Sequence, residues 1–112
     1  MQIFSPDGKF FAALGSPGGR QIIGYVAQAI VSLIDGQLSM PQTSAAARHI
    51  NLDGPTLIER RTPLEALAPA LSRMGHRVRT VRFDSGLNGI KRVAGGYEGG
   101  ADPRREGVAL GD

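Results

Sequence analysis

Cysteine is absent from the 112 residues, which removes disulfide scaffolds, thiol nucleophiles and thiolate zinc sites together. Histidine occurs only as His49 and His76; they flank different elements, and neither stands at metal-ligand spacing with a carboxylate. No metal site and no cofactor is therefore assigned. The longest apolar stretch, Ile22 to Ile34, is interrupted by Gly24, Gln28 and Ser32. It falls short of the roughly 20 residues needed to cross a bilayer, so no membrane partner is expected. The opening Met1-Gln2-Ile3-Phe4-Ser5-Pro6-Asp7 lacks the basic region and apolar run of a signal peptide. Nothing in this stretch directs export, and localisation stays open.

What is there is globular in character. Apolar residues make up 41% and charged residues 21%, which argues against wholesale disorder, a coiled coil or a collagen-like polymer. The length predicts a single domain over residues 1–112. Sixteen glycines and seven prolines point to many tight turns between short elements. The net charge of +3 is unevenly placed: residues 1–58 balance, residues 59–92 carry +5 and residues 93–112 carry −2. Arg73, Arg77, Arg79 and Arg82 would track phosphates if they shared a face. No aromatic stacking pattern accompanies them, and Arg77 and Arg79 beside Val78 and Val81 read as a half-buried strand with solvated charge outside. Nucleic-acid binding ranks last among the readings.

Pro6-Asp7-Gly8-Lys9 is a turn signal between Gln2-Ile3-Phe4 and Lys9 to Leu14, predicting a β-hairpin. From Arg20 to Asp35, apolar residues recur at helical spacing and Gly36 stops the run. Leu14, Ile23, Val26, Ile30 and Ile34 are the expected core, with an exposed sheet edge. Ser39 to Ala47 carries a cap residue, an early proline and three alanines, and reads as a short helix. Two short strands, Ile50 to Leu52 and Thr56 to Glu59, flank a turn at Asn51 to Pro55. Thr62-Pro63-Leu64-Glu65 has the spacing of a capping box; the helix it starts has a stripe of Leu64, Leu67, Ala68, Leu71 and Met74, a kink at Pro69 and a close at Gly75. His76 to Phe83 and Leu87 to Ala94 read as strands, with one more strand in the tail after Gly95. The fold class is α+β: a mostly antiparallel sheet with two main helices packed on it.

Chemistry concentrates at Leu14-Gly15-Ser16-Pro17-Gly18-Gly19-Arg20, where a strand runs through glycines into a helix. Glycines let the backbone approach a ligand closely, and successive free amides at a helix start attract an oxyanion. No Gly-Lys-Ser or Gly-Lys-Thr follows, so this is not a nucleotide phosphate loop, nor is it a dinucleotide fingerprint. Ser16 precedes Pro17 and lacks the Gly-x-Ser-x-Gly elbow of a serine nucleophile. Asp102-Pro103-Arg104-Arg105 reads as a turn in which Asp102 pairs with an arginine.

Three blocks together resemble the C-terminal part of the small subunit of γ-glutamyltranspeptidases. The first is Asp7-Gly8-Lys9, then Leu14-Gly15-Ser16-Pro17-Gly18-Gly19, Ile22-Ile23, Gln28 and Ile34-Asp35; the second is Ala45-Ala46-Ala47-Arg48-His49; the third is Gly100-Ala101-Asp102-Pro103-Arg104-Arg105 with Gly107 and Ala109. The resemblance implies a divergent N-terminal-nucleophile hydrolase, of which this chain would hold part of the αββα sandwich. In that family a terminal Thr attacks a γ-glutamyl amide such as that of glutathione, and the acyl group passes to water or an amino acid. Gly18 and Gly19 would correspond to the oxyanion-stabilising glycine pair, with Ser16 and Arg20 as pocket neighbours.

The resemblance places the catalytic Thr and a substrate-binding serine pair upstream of Met1, so no catalytic residue is assigned here and the chain alone is expected to be inactive. Its partner would be that upstream part, with γ-glutamyl compounds binding only in the assembled parent; family parents are often periplasmic or secreted. Arg20 stands where a small residue is usual, Ala47 where a proline is usual, and Asn88-Gly89 where a Gln is common, which counts against glutathione as the parent's substrate. The alternative is a folded interaction module that binds a partner or self-associates through an exposed sheet edge.

Overall fold

The first nine residues show how directly local chemistry sets the chain path. In the computed structural model, which describes residues 1–112, Gly8 adopts φ +80° and its N–H donates to the Ser5 carbonyl at 2.8 Å. The Lys9 N–H is taken by Asp7 Oδ1 at 3.1 Å. The hairpin so formed joins β1 (Gln2–Phe4) to β2 (Phe10–Gly15), paired antiparallel with Gln2 opposite Ala13. After a 3-10 turn at Gly19–Gln21 comes α1 (Ile22–Ile34), then α2 (Met40–Ala45). The cap expected at Ser39 is present and is a full capping box: Ser39 Oγ accepts from the Gln42 N–H, and Gln42 Oε1 accepts from the Ser39 N–H.

The chain continues through β3 (His49–Ile50), β4 (Thr56–Glu59), a 3-10 segment at Pro63–Leu67, α3 (Ala68–Arg73), β5 (Val78–Val81), β6 (Asn88–Val93) and β7 (Gly96–Gly100). These elements divide into two compact units, Met1–Ala46 with Asp84–Asp112, and Ala47–Phe83.

The first unit holds a four-stranded sheet in the order β1-β2-β6-β7, antiparallel throughout. Its core is Ala12, Leu14, Ala29, Leu33, Met40 and Leu87, with Ile3, Phe11 and Val26 packed at the margin. Small residues bring the layers close. A β-carbon on Gly100 would lie 2.5 Å from the Met40 carbonyl oxygen, so β7 meets the backbone of α2 with no side chain between. Glu98 on the same strand accepts from the Met40 N–H at 2.7 Å, placing a carboxylate on the first turn of α2, where the helix dipole favours it.

The expected core needs correction. Leu14 is buried and Val26 lies at the core margin, but Ile23 is 79% exposed and Ile34 also faces outward. The buried face of α1 is Tyr25, Ala29 and Leu33, spaced four apart, and Tyr25 is only 1% exposed. The helix is apolar nearly all round, so periodicity marks a helix without marking its inner face. Ile23, Ala27, Val31 and Ile34 form a second apolar stripe, exposed in this chain.

The second unit is a three-stranded sheet, β3-β4-β5, with β3 antiparallel and β5 parallel to β4. A parallel pair needs a crossover, supplied here by the 3-10 segment and α3. The capping box expected at Thr62 does not form. Thr62 Oγ1 instead donates to the Glu59 carbonyl at 2.7 Å, and Glu65 Oε1 accepts from the Arg61 N–H at 2.8 Å. Nor does Pro69 kink a helix. It occupies the first turn of α3, where its missing N–H has no partner to lose. The predicted stripe there is shallow: none of Leu64, Leu67, Ala68, Leu71 or Met74 is buried. Gly75 closes α3 at φ +98° as its position predicts.

Candidate functional site

The strand-to-helix passage at the end of β2 is built by three residues with unusual backbones or contacts. Gly18 adopts φ +135° and Gly19 φ +58°, both in the region that glycine enters without steric cost. At Gly18 space is also limiting, because a β-carbon would stand 2.9 Å from Cε2 of Tyr25. The Tyr25 ring lies under the turn, and its hydroxyl donates to Gln21 Oε1 at 2.5 Å. Gln21 N–H donates to the Gly18 carbonyl at 3.1 Å, the first backbone donor used inside the turn. The Gly18 and Gly19 N–H groups precede it and stand outside the turn's own hydrogen bonds, on an exposed surface. Two consecutive amides there can receive an oxyanion.

Ser16 and Arg20 fall on either side of the glycine pair. Arg20 is exposed. Ser16 is half-buried, and its hydroxyl donates to the Ser85 carbonyl, with the Pro17 carbonyl 2.7 Å away as a second acceptor. That engagement ties the serine to the chain rather than presenting it to a substrate.

Behind Ser85 lies a polar cluster that sequence reasoning reached only at one end. The pairing of Asp102 with an arginine, expected from the Asp-Pro-Arg-Arg turn, is present: Arg104 Nη1 lies 2.9 Å from Asp102 Oδ1. Asp102 is 1% exposed and does much more. Its Oδ2 accepts from the Ser85 hydroxyl and from the Leu87 N–H at 2.9 Å; its Oδ1 accepts from the Arg104 N–H at 2.9 Å. Asn88 Oδ1 takes the Asp102 N–H at 3.1 Å. Burial alone would push the Asp102 carboxyl up. The hydrogen bonds from Ser85, from the Arg104 and Leu87 amides and from the Arg104 side chain outweigh it and bring the pKa down to about 2.

Ser85 lies 17 residues from Asp102 and 69 from Ser16. No local spacing rule joins them, and the signal in the sequence is only the proximity of Ser85-Gly86 to a strand start. Gly86 completes the arrangement at φ +66°, where a β-carbon would fall 2.6 Å from Arg105 Cδ and 3.1 Å from Pro17 Cγ. Arg105 Nε donates to the Asp84 carbonyl at 3.0 Å.

His49 and His76 lie on the second unit. His76 Nδ1 is 3.2 Å from Thr56 Oγ1, and no group of three or more His, Asp or Glu side chains gathers as a metal site. Arg77, Arg79 and Arg82 are exposed along β5 and its continuation. No helix is long and apolar enough to cross a membrane.

The first unit is a helix-covered antiparallel sheet whose second strand runs through Gly18-Gly19 into its main helix, and the structures it superimposes on are of the N-terminal-nucleophile hydrolase superfamily. The family model for gamma-glutamyltranspeptidase matches residues 1–112. The sequence is 39% identical over 85 residues to the acylase ACY 1 proenzyme of a Pseudomonas species, covering 75% of this chain and 15% of that protein. It is 32% identical over 108 residues to glutathione hydrolase proenzyme 2 of Schizosaccharomyces pombe, covering 92% of this chain and 18% of that one. Among solved structures, a variant of the Helicobacter pylori gamma-glutamyltranspeptidase superimposes with a TM-score of 0.86 at 26% identity, over 94% of this chain and 59% of that chain. The cephalosporin acylase of Bacillus halodurans gives 0.82 at 25% identity, over 91% and 20% respectively. This chain belongs to the gamma-glutamyltranspeptidase family. It spans less than a fifth of the length of each of these proenzymes.

Proposed function

We propose that this chain supplies the oxyanion-binding part of an acyl-transfer enzyme acting on γ-glutamyl-type amides, with the nucleophile contributed by other residues of the parent protein. The observation that carries the reading is the pair of consecutive positive-φ glycines, Gly18 and Gly19, at the exposed start of α1. Attack on an amide carbonyl turns its oxygen into an oxyanion in a tetrahedral intermediate. Two preorganised N–H donors stabilise that charge where it develops and not before, which lowers the barrier. Relatives named acylase and glutathione hydrolase support acyl transfer as the chemistry. Ser16, held by Ser85, is not the nucleophile in this reading. Arg20, exposed next to the glycine pair, would favour an anionic group on the donor. The chain alone is inactive.

The experiment is hydrolysis of a chromogenic γ-glutamyl amide by the purified chain, alone and mixed with a separately expressed upstream region bearing a terminal Thr. Activity in the mixture only, with kcat falling about a hundredfold in Gly19→Val, is the expected result. Activity in the mixture that is indifferent to Gly19→Val would overturn the role given to the glycines.

A second reading is favoured by the exposed stripe of Ile23, Val31 and Ile34 on α1 and by the free edge of β1. Both would serve an interaction module. Sedimentation of the chain from micromolar to millimolar concentration tests it, with a constant monomer mass as the adverse outcome.

A further inference from the structure

We propose that Ser85 and Asp102 are positioning residues for the Gly18–Gly19 turn: Asp102 fixes the 84–87 segment, and that segment grips the turn at Ser16 and Pro17. The inference rests on the oxyanion reading of the glycines and assigns the parts that keep them in place.

The glycine turn has an intrinsic problem. Glycine is the residue with the most conformational freedom to lose, so two in succession at an exposed loop are mobile unless something outside the loop holds them. An oxyanion site needs the opposite. Donors that must reorganise during the reaction give back much of what they contribute.

The structure holds the loop from two sides. Tyr25 packs under Gly18 from within α1. On the approach side, two adjacent residues are gripped by one short segment: the Ser16 hydroxyl donates to the Ser85 carbonyl, and the Pro17 ring lies against Gly86. That segment is not regular structure and has no ladder of its own to stiffen it. It is stiffened by Asp102, which takes the Ser85 hydroxyl and the Leu87 N–H on a single carboxylate oxygen and so fixes the residues on both sides of Gly86. Arg105 closes the segment from the far side through the Asp84 carbonyl. A fully ionised acceptor suits this task, because hydrogen bonds to a charged oxygen are shorter and stronger than neutral ones. The route from Asp102 to the glycines therefore runs Asp102, Ser85, Ser16, then Pro17 into Gly18, with every link a named contact.

The test uses the full chain, labelled with nitrogen-15, and backbone order parameters from NMR relaxation. The wild type is expected to show Gly18 and Gly19 near the rigid value of about 0.85. In Ser16→Ala and Ser85→Ala both glycines should fall below about 0.6, while Ser5 and Gly8 in the β1–β2 hairpin stay unchanged. Ser16→Thr, which keeps the hydroxyl, should restore the wild-type values. Asp102→Asn should act in the same direction, and Ser16→Ala, which removes one half-buried hydroxyl, answers the question if Asp102→Asn does not fold. Order parameters at Gly18 and Gly19 that are the same in wild type, Ser16→Ala and Ser85→Ala would overturn the proposal, as would a loss spread equally over the hairpin. The oxyanion reading fails differently, through Gly19→Val leaving kcat unchanged in the assembled enzyme.

Discussion

The guanidinium of Arg104 caps the C-terminal end of α2: Nη2 donates to the Ala46 carbonyl at 2.8 Å and Nη1 to the Ser44 carbonyl at 3.2 Å. A helix usually closes on a left-handed glycine, but Ala46 continues at φ −56°, ψ 145°, so the last carbonyls turn to a side chain from another part of the chain. The same Nη1 also pairs with Asp102. Arg104 thereby links the end of α2 to the buried carboxylate.

Arg104→Lys is expected to destabilise the chain by about 1.5–3 kcal/mol. An ammonium is a point donor and cannot serve Asp102 and the Ala46 carbonyl with the geometry of a planar fork. Urea unfolding followed by circular dichroism measures this, and a loss below about 0.5 kcal/mol would show that lysine bridges both.

Acid should weaken the fold in a defined window. The Asp102 carboxyl lies at about 2 in the folded chain and near 3.9 when unfolded, so the unfolded state takes up the proton first as pH falls. The Asp102 contribution is fully present above about pH 4 and is lost progressively towards pH 2. The charged group facing it is the Arg104 guanidinium, which stays protonated throughout. Thermal melts of wild type and Asp102→Asn across this range should converge as pH falls; parallel curves would remove Asp102 as the cause.

Gly100→Ala should be among the most damaging single-methyl changes. Its added carbon would meet the Met40 carbonyl oxygen at 2.5 Å and the Pro41 nitrogen at 2.9 Å, both backbone, so β7 or α2 must move. Overpacking of this kind costs about 3 kcal/mol. Gly54→Ala, with nothing within 4 Å, serves as the control and should change stability by less than about 0.5 kcal/mol. Equal effects at the two positions would contradict the packing described.

The two faces of α1 should separate cleanly. Leu33→Ala removes a core side chain and should cost about 2–5 kcal/mol. Ile23→Glu, at an exposed position, should change stability by less than about 0.5 kcal/mol while lowering the fluorescence of a dye that binds apolar surface. Undiminished dye binding would place the exposed apolar surface elsewhere.

These contrasts also mark what the sequence discloses. The Ser5–Lys9 turn and the Ser39 cap are legible because every group involved lies within four residues. Thr62-x-x-Glu65 presents the same pattern and fails, because the Glu59 carbonyl and the Arg61 N–H engage the same two side chains instead. The glycine turn stands out by composition, and the Asp102–Arg104 pair by a spacing of two. Ser85 does not, since its meaning comes from contacts 17 and 69 residues away that only the folded sheet creates. The inner face of α1 is hidden for another reason: a helix apolar on both sides gives the periodicity no phase.

Gly18 must be a glycine for Tyr25 to lie where it does, whatever the turn binds. Selection for foldability alone would then preserve it, and a descendant stripped of all reactivity would still display the motif. A glycine surviving at this position in a distant relative records ancestry of the scaffold, and vestigial and working copies will look alike there.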